Sequence, residues 1–109
     1  MKTENSIQLI GYLGHEPTLK KAYNGSLYTR LRVATDYFRR TSDGTVIKKT
    51  TWHDVMVWDQ LAEKVPDNFS KGSHILIRGY SLNRTFKNKE GIYKKITEVK
   101  ANHLLNLDR

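Results

Sequence analysis

Aromatic and cationic residues are interleaved in four separate stretches of this chain: Tyr28 with Arg30 and Arg32, Tyr37 and Phe38 with Arg39 and Arg40, Trp52 and Trp58 after Lys48 and Lys49, and Phe86 with Arg84 and Lys87. The combination suits a single-stranded nucleic acid, whose unpaired bases offer π faces and whose backbone offers regularly spaced negative charge. A base stacked on an aromatic ring is worth ~1–3 kcal/mol, whichever base it is. An aromatic platform therefore supplies sequence-tolerant affinity that cations alone do not.

The residue types needed for bond-making chemistry are scattered. His15, His53, His74 and His103 show no metal-ligand spacing, the acidic residues form no evident pair, and no glycine-rich phosphate loop exists. His53 shares a strand face with Val55 and Val57 and reads as a core or interface residue rather than a base. Catalysis is not expected, nor a metal or cofactor. There is no cysteine, so neither a disulfide framework nor a zinc-thiolate site can form.

Charge agrees with the aromatic pattern. Lys and Arg number 19 against 11 Asp and Glu, a formal charge of +8, which favours an anionic partner through long-range attraction and counterion release. Apolar runs are far too short to span a membrane, and "MKTENSIQLIGYLG" lacks the apolar core of a secretory signal. A cytoplasmic location beside the nucleoid is expected.

These side chains must be positioned by strands. In "TTWHDVMVWDQ" the alternation puts Trp52, Asp54, Met56 and Trp58 on one face and His53, Val55 and Val57 on the other. A valine core leaves the tryptophans facing outward. "LYTRLRVATDYF" repeats the arrangement, with Leu27, Leu31 and Val33 opposite Tyr28, Arg30 and Arg32. "SIQLIGYL", "SHILIRGYSLNRTF" and "GIYKKITEVKANHLLNL" read as further strands, and alternation alone leaves open which face of "HILIR" is buried. Asn24-Gly25 and Asp43-Gly44 mark turns. In "DQLAEKVPDNFSKG" the period lengthens, with Leu61, Val65 and Phe69 four apart as on a short helix; Asp59 is a candidate cap, Gly72 a candidate stop, and Pro66 is expected to kink the helix or divide it into two turns. Tyr12, Tyr23 and Tyr93 read as packing residues, and the pairs Lys20-Lys21 and Lys94-Lys95 as solvated surface. Five strands and one helix, in a single domain over residues 1–109, predict a small closed all-β barrel with the helix plugging one end.

The order of motifs resembles the bacterial single-stranded DNA-binding protein family. "NSIQLIGYLGHEP" is similar to the family's opening strand and turn, "LRVAT" to its second strand, "TWHDVMVW" with "LAE" to its third strand and helix, "KGSHILIRG" to its fourth strand and "TEVKAN" to its fifth. Together they cover roughly residues 5 to 107. The resemblance implies an oligonucleotide/oligosaccharide-binding (OB) fold, a five-stranded Greek-key barrel with one short helix between strands 3 and 4. It implies a homotetramer that binds and protects single-stranded DNA in replication, recombination and repair, without catalysis. It places stacking aromatics at Trp52, at Trp58 where many relatives have phenylalanine, at Phe86 where many have tryptophan, and at Phe38 or its neighbour Tyr37. Arg84 and Lys71 fall on basic positions of the DNA path, and Gln60 departs from a common lysine. Lys48, Lys49, Arg30, Arg32, Arg39 and Arg40 complete the candidate phosphate contacts.

Family members usually continue into a flexible linker and an acidic tip that recruits replication and repair proteins, whereas this sequence stops at "HLLNLDR". Those partners are expected only with such a tail, and either a truncated core or a short paralogue fits. Two other readings stay open: an assembly or adaptor protein of the primosomal replication protein B type, whose aromatic strand makes protein contacts, and RNA binding by the same fold.

Overall fold

The computed structural model describes residues 5–108. The order of elements is β1 (Ile7–Leu13), β2 (Lys20–Lys21), β3 (Leu27–Arg40), β4 (Val46–Trp58), α1 (Asp59–Asn68), β5 (His74–Lys87) and β6 (Tyr93–Asn106). The sheet runs β1-β5-β6-β4-β3-β2, and a second pairing of β1 with β3 closes it. All ladders are antiparallel except that of β4 with β6, where Val55 lies beside Val99 and Met56 beside Lys100. Five strands thus form the expected closed barrel. The two-residue β2 is an addition, a ribbon paired to the start of β3 through the Asn24-Gly25 turn, where Gly25 has φ 92.

Closure depends on two close backbone approaches. A Cβ on Gly11 would lie 2.1 Å from the Ala34 carbonyl oxygen, where β1 passes from β5 onto β3, and one on Gly79 would lie 2.0 Å from that of Lys100, beside the irregularity between Arg78 and Gly79. Neither strand could come so near with a side chain there.

The valine face is inside. Leu31, Val33, Val55 and Val57 are fully buried, together with Ile75 and Ile77, which settles the register that alternation left open on β5. Each such side chain stabilises the fold by roughly 1.5–3 kcal/mol through removal from water. Helix α1 closes the barrel end against β3, β4 and β6 with Ala62 and Val65 inward. Its ends differ from expectation. Trp58 occupies the N-cap position with no side-chain hydrogen bond, Asp59 is the first helical residue, and Phe69 rather than Gly72 is the C-cap, its N–H donating to the Val65 carbonyl. Pro66 neither ends nor divides the helix, because it stands near the C-terminus, where only the bond to the Ala62 carbonyl is forgone.

Two hairpins outgrow the barrel. The β3–β4 ladder continues to Arg40 and Val46, and the β5–β6 ladder to Lys87 and Tyr93. Since β4 and β6 are parallel, both arms leave the same end.

Candidate nucleic-acid interface

Residues opposite one another in a ladder point to the same side, so the β3–β4 register defines the faces of the first arm. The outer face carries the pairs Tyr28/Trp58, Arg30/Met56, Arg32/Asp54, Ala34/Trp52, Asp36/Thr50, Phe38/Lys48 and Arg40/Val46. Across the parallel β4–β6 seam it continues onto Lys100, Glu98, Ile96 and Lys94 of β6 and Tyr80, Leu82, Arg84 and Phe86 of β5. Trp52, Trp58, Phe38, Phe86, Arg30, Arg32, Arg40, Lys48 and Arg84 therefore share one surface. Trp52 and Trp58, six residues apart on one strand, are separated by ~20 Å and cannot clasp a single base.

Trp52 is half exposed and sits in a seat. A Cβ on Gly14 would lie 2.6 Å from the indole, so only glycine leaves room for the ring in this position. The Arg32 guanidinium lies over the indole, 5.5 Å from its centroid, and His15 and Arg32 complete a small hollow with Gly14 and Trp52. The loop bearing the seat is fastened to β3: the Gly14 N–H donates to the Arg32 carbonyl at 2.9 Å, and the Arg32 N–H to His15 Nε2 at 3.1 Å. His15 Nδ1 faces the Glu16 carbonyl at 3.0 Å, which fits a ring protonated on Nδ1 and accepting through Nε2. Trp58 is different. It is half-buried, its ring tilted by 38° against Tyr28 with centroids 5.2 Å apart, so the two form one composite aromatic surface beside α1.

Three of the outer cations already have carboxylate partners: Arg32 with Asp54 at 3.5 Å, Lys48 with Asp36 at 3.9 Å and Arg84 with Glu98 at 3.3 Å. Alternation along the chain already puts Asp54 on the Trp52 face, but the ion pairs themselves, and the places of Asp36 and Glu98 beside Lys48 and Arg84, come only from the pairing of the strands. Lys71 lies at the other end of the barrel from the arms. Its turn is pinned to the end of β1 and the loop that seats Trp52, through the Gly72 N–H to the Leu13 carbonyl at 2.8 Å and the Lys71 N–H to Glu16 Oε1 at 3.0 Å, and its side chain is exposed.

Other expectations are corrected. Tyr37, Arg39 and Lys49 do not join Phe38, Arg40 and Lys48; adjacent strand residues face opposite ways, and the three project on the reverse side of the arm. Tyr93 and Tyr23 are not packing residues: Tyr93 is 71% exposed on the second arm and Tyr23 stands free in the β2–β3 loop. Tyr12 is half exposed, its ring stacked on His74 at 4.7 Å. His53 is part-buried opposite Val33 in the β3–β4 ladder, with Nε2 2.8 Å from Thr35 Oγ1. Among the described residues no three side chains of metal-ligating type converge, and no helix is long and apolar enough to cross a membrane.

Comparison with known proteins identifies the family and the fold. The Single-strand binding protein family matches residues 4–107. The chain is 34% identical over 110 residues to single-stranded DNA-binding protein 1 of Xylella fastidiosa, covering all of this chain and 81% of that protein. It is 30% identical to the single-stranded DNA-binding protein of Xanthomonas axonopodis pv. citri over 92% of this chain, and spans 56% of that relative's length. Among solved structures, the Plasmodium falciparum SSB in complex with ssDNA superposes with a TM-score of 0.86 at 30% identity, over 99% of this chain and 98% of that one. A deletion mutant of the Thermus aquaticus single-stranded DNA binding protein shares the fold, with a TM-score of 0.81 at 23% identity over 94% of this chain and 50% of that one.

Proposed function

Since the chain belongs to the single-strand binding protein family, we propose that it binds single-stranded DNA with little regard to sequence and protects it during replication, recombination and repair. The observation that carries this reading is the single continuous face on which Trp52, Phe38 and Phe86 stand exposed among cations. Bases stack on Trp52, on Phe38, on Phe86 and on the Tyr28–Trp58 pair. Arg30, Arg32, Arg40, Lys48 and Arg84 meet the phosphates, with Lys71 beside the Trp52 seat. The role is binding in the cytoplasm, with no bond made or broken and no cofactor.

Several copies act together, as a homotetramer. Support comes from a second outer surface, on β1, β5 and β6, where Ile10 pairs with Leu76 and Leu76 with Leu105; Ile10, Tyr12 and Leu105 are about half exposed, more apolar area than a lone strand pair needs to show to water.

The test is intrinsic tryptophan fluorescence titrated with oligo(dT). Stacking on Trp52 quenches the emission, and duplex DNA of equal length binds far more weakly. Absence of quenching, or equal affinity for duplex, would overturn the reading. Equilibrium sedimentation gives the number of copies, and a monomer at micromolar concentration would refute the assembly.

A further inference from the structure

The two arms have reverse sides that the tryptophan face does not use. Past the barrel rim, the inward positions of β3 and β4 continue as Tyr37 opposite Lys49 and Arg39 opposite Ile47, and those of β5 and β6 as Thr85 opposite Lys95 and Lys87 opposite Tyr93. Both arms leave the same end of the barrel, and on each the inward alternation of the barrel strands continues past the rim.

Their chemistry differs from that of the outer face in one respect. Asp36, Asp54 and Glu98 all project outward, where each pairs with a cation. No aspartate or glutamate occupies an inward position of either ladder, and among the described residues Arg39, Lys49, Lys87 and Lys95 take part in no ion pair. Tyr37 and Tyr93 are 63% and 71% exposed. Tyr37, Arg39, Ile47 and Lys49 enclose a hollow of about 230 Å³, and Lys87 Nζ stands 5.8 Å from the Tyr93 ring centroid.

We propose that the reverse sides of the two arms form a second contact for single-stranded DNA, in which Tyr37 and Tyr93 stack bases and Arg39, Lys49, Lys87 and Lys95 take phosphates. The inference rests on the single-stranded DNA reading and extends it from one face to two. An outer cation must share itself between its carboxylate and a phosphate. The four inward cations have no such competitor, and a surface patch of one sign raises the local concentration of an anionic strand. Phe38 and Tyr37 are neighbours on opposite sides of a two-stranded ribbon. A strand that leaves the tryptophan face at Phe38 therefore meets the second contact by passing round the edge of the arm.

The test photo-crosslinks the whole chain to a long 5-iodouracil-substituted oligo(dT) and maps the adducts, and it measures affinity in the double variant Tyr37→Ala/Tyr93→Ala. Crosslinks are expected at Tyr37 and Tyr93 as well as at Trp52. The double variant should lose at least about tenfold in affinity for the long oligomer, and Tyr37→Phe/Tyr93→Phe should retain it because the rings remain. Crosslinks confined to the tryptophan face, with unchanged affinity of the alanine variant, would overturn the second contact and leave the first intact. Loss of all crosslinking together with loss of tryptophan quenching would count against single-stranded DNA binding as a whole. Protection of Lys49 and Lys95 from acetylation by polyglutamate but not by oligo(dT) would show that these sides take an acidic polypeptide, and would also overturn the proposal.

Discussion

Trp52 occupies the space that a side chain on Gly14 would need: a Cβ there would come within 2.6 Å of the indole. Gly14 lies in the loop after β1 and Trp52 on β4, far apart in the chain, yet the outward pose of the indole depends on a missing methyl group. Gly14→Ala should fold, since the half-exposed indole can swing aside. Its melting temperature should change by only a few degrees, the loss of ~1 kcal/mol or less. The tryptophan emission should shift, and affinity for oligo(dT) should fall about five- to tenfold, part of the ~1–3 kcal/mol of one stacked base. Unaltered affinity would show that the seat does not matter.

The two tryptophans should part company under substitution. Trp52→Ala should cost about 5- to 150-fold in affinity, the equivalent of one stacked base, with little effect on stability. Trp58→Ala also removes a half-buried ring packed on Tyr28 and should lower stability by roughly 1–3 kcal/mol. Thermal denaturation and oligo(dT) titration on both variants check the contrast.

Removing acids from the outer face should strengthen binding. Asp36→Asn frees Lys48 while its amide oxygen can still accept from the Thr50 hydroxyl, now 2.7 Å away, and Asp54→Asn frees Arg32. Each should raise affinity about two- to fivefold at moderate salt, the scale of one exposed ion pair. The slope of log affinity against log salt should steepen by up to ~0.7 for each phosphate newly engaged. An unchanged slope and affinity would mean that these cations do not touch DNA.

Thr29 is fully buried between Leu27 and Leu31 on the inward face, and among the described residues its hydroxyl has no hydrogen-bond partner. Thr29→Val keeps the branched shape and discards the unpaired polar group, and should stabilise the protein by about 1 kcal/mol in urea denaturation. A destabilised variant would mean that the hydroxyl is satisfied in solution.

The tip of the first arm should respond to acid. Thr41 Oγ1 donates to the Asp43 carboxylate, as does the Thr45 N–H at 3.0 Å, and these bonds lower its pKa from 3.8 to about 2. Because the folded value is depressed, the stabilisation of the turn is complete above 3.8 and is lost as pH falls through about 2. Following the Thr45 amide and the Asp43 carboxyl by NMR tests this, and a carboxyl that titrates at 3.8 would refute it.

Much of this was legible in the sequence because strand alternation is local. The inward valines and outward tryptophans of β4, the basic outer face of β3, the turns at Gly25 and Gly44 and the period change at α1 need only nearest neighbours along the chain, and the order of motifs placed them in one barrel. What the chain could not state for itself were relations between strands. The β3–β4 register, not the run of residues 37–40, decided that Phe38 joins Trp52 while Tyr37 turns away. Pairing of neighbouring strands within each hairpin brought Asp36, Asp54 and Glu98 to the cations that charge counting had treated as free. The parallel β4–β6 seam sent both arms from one end, and the Gly14 seat joined the loop after β1 to β4. Each of these depends on contacts between residues distant in sequence, whose positions are fixed only when the sheet closes on itself.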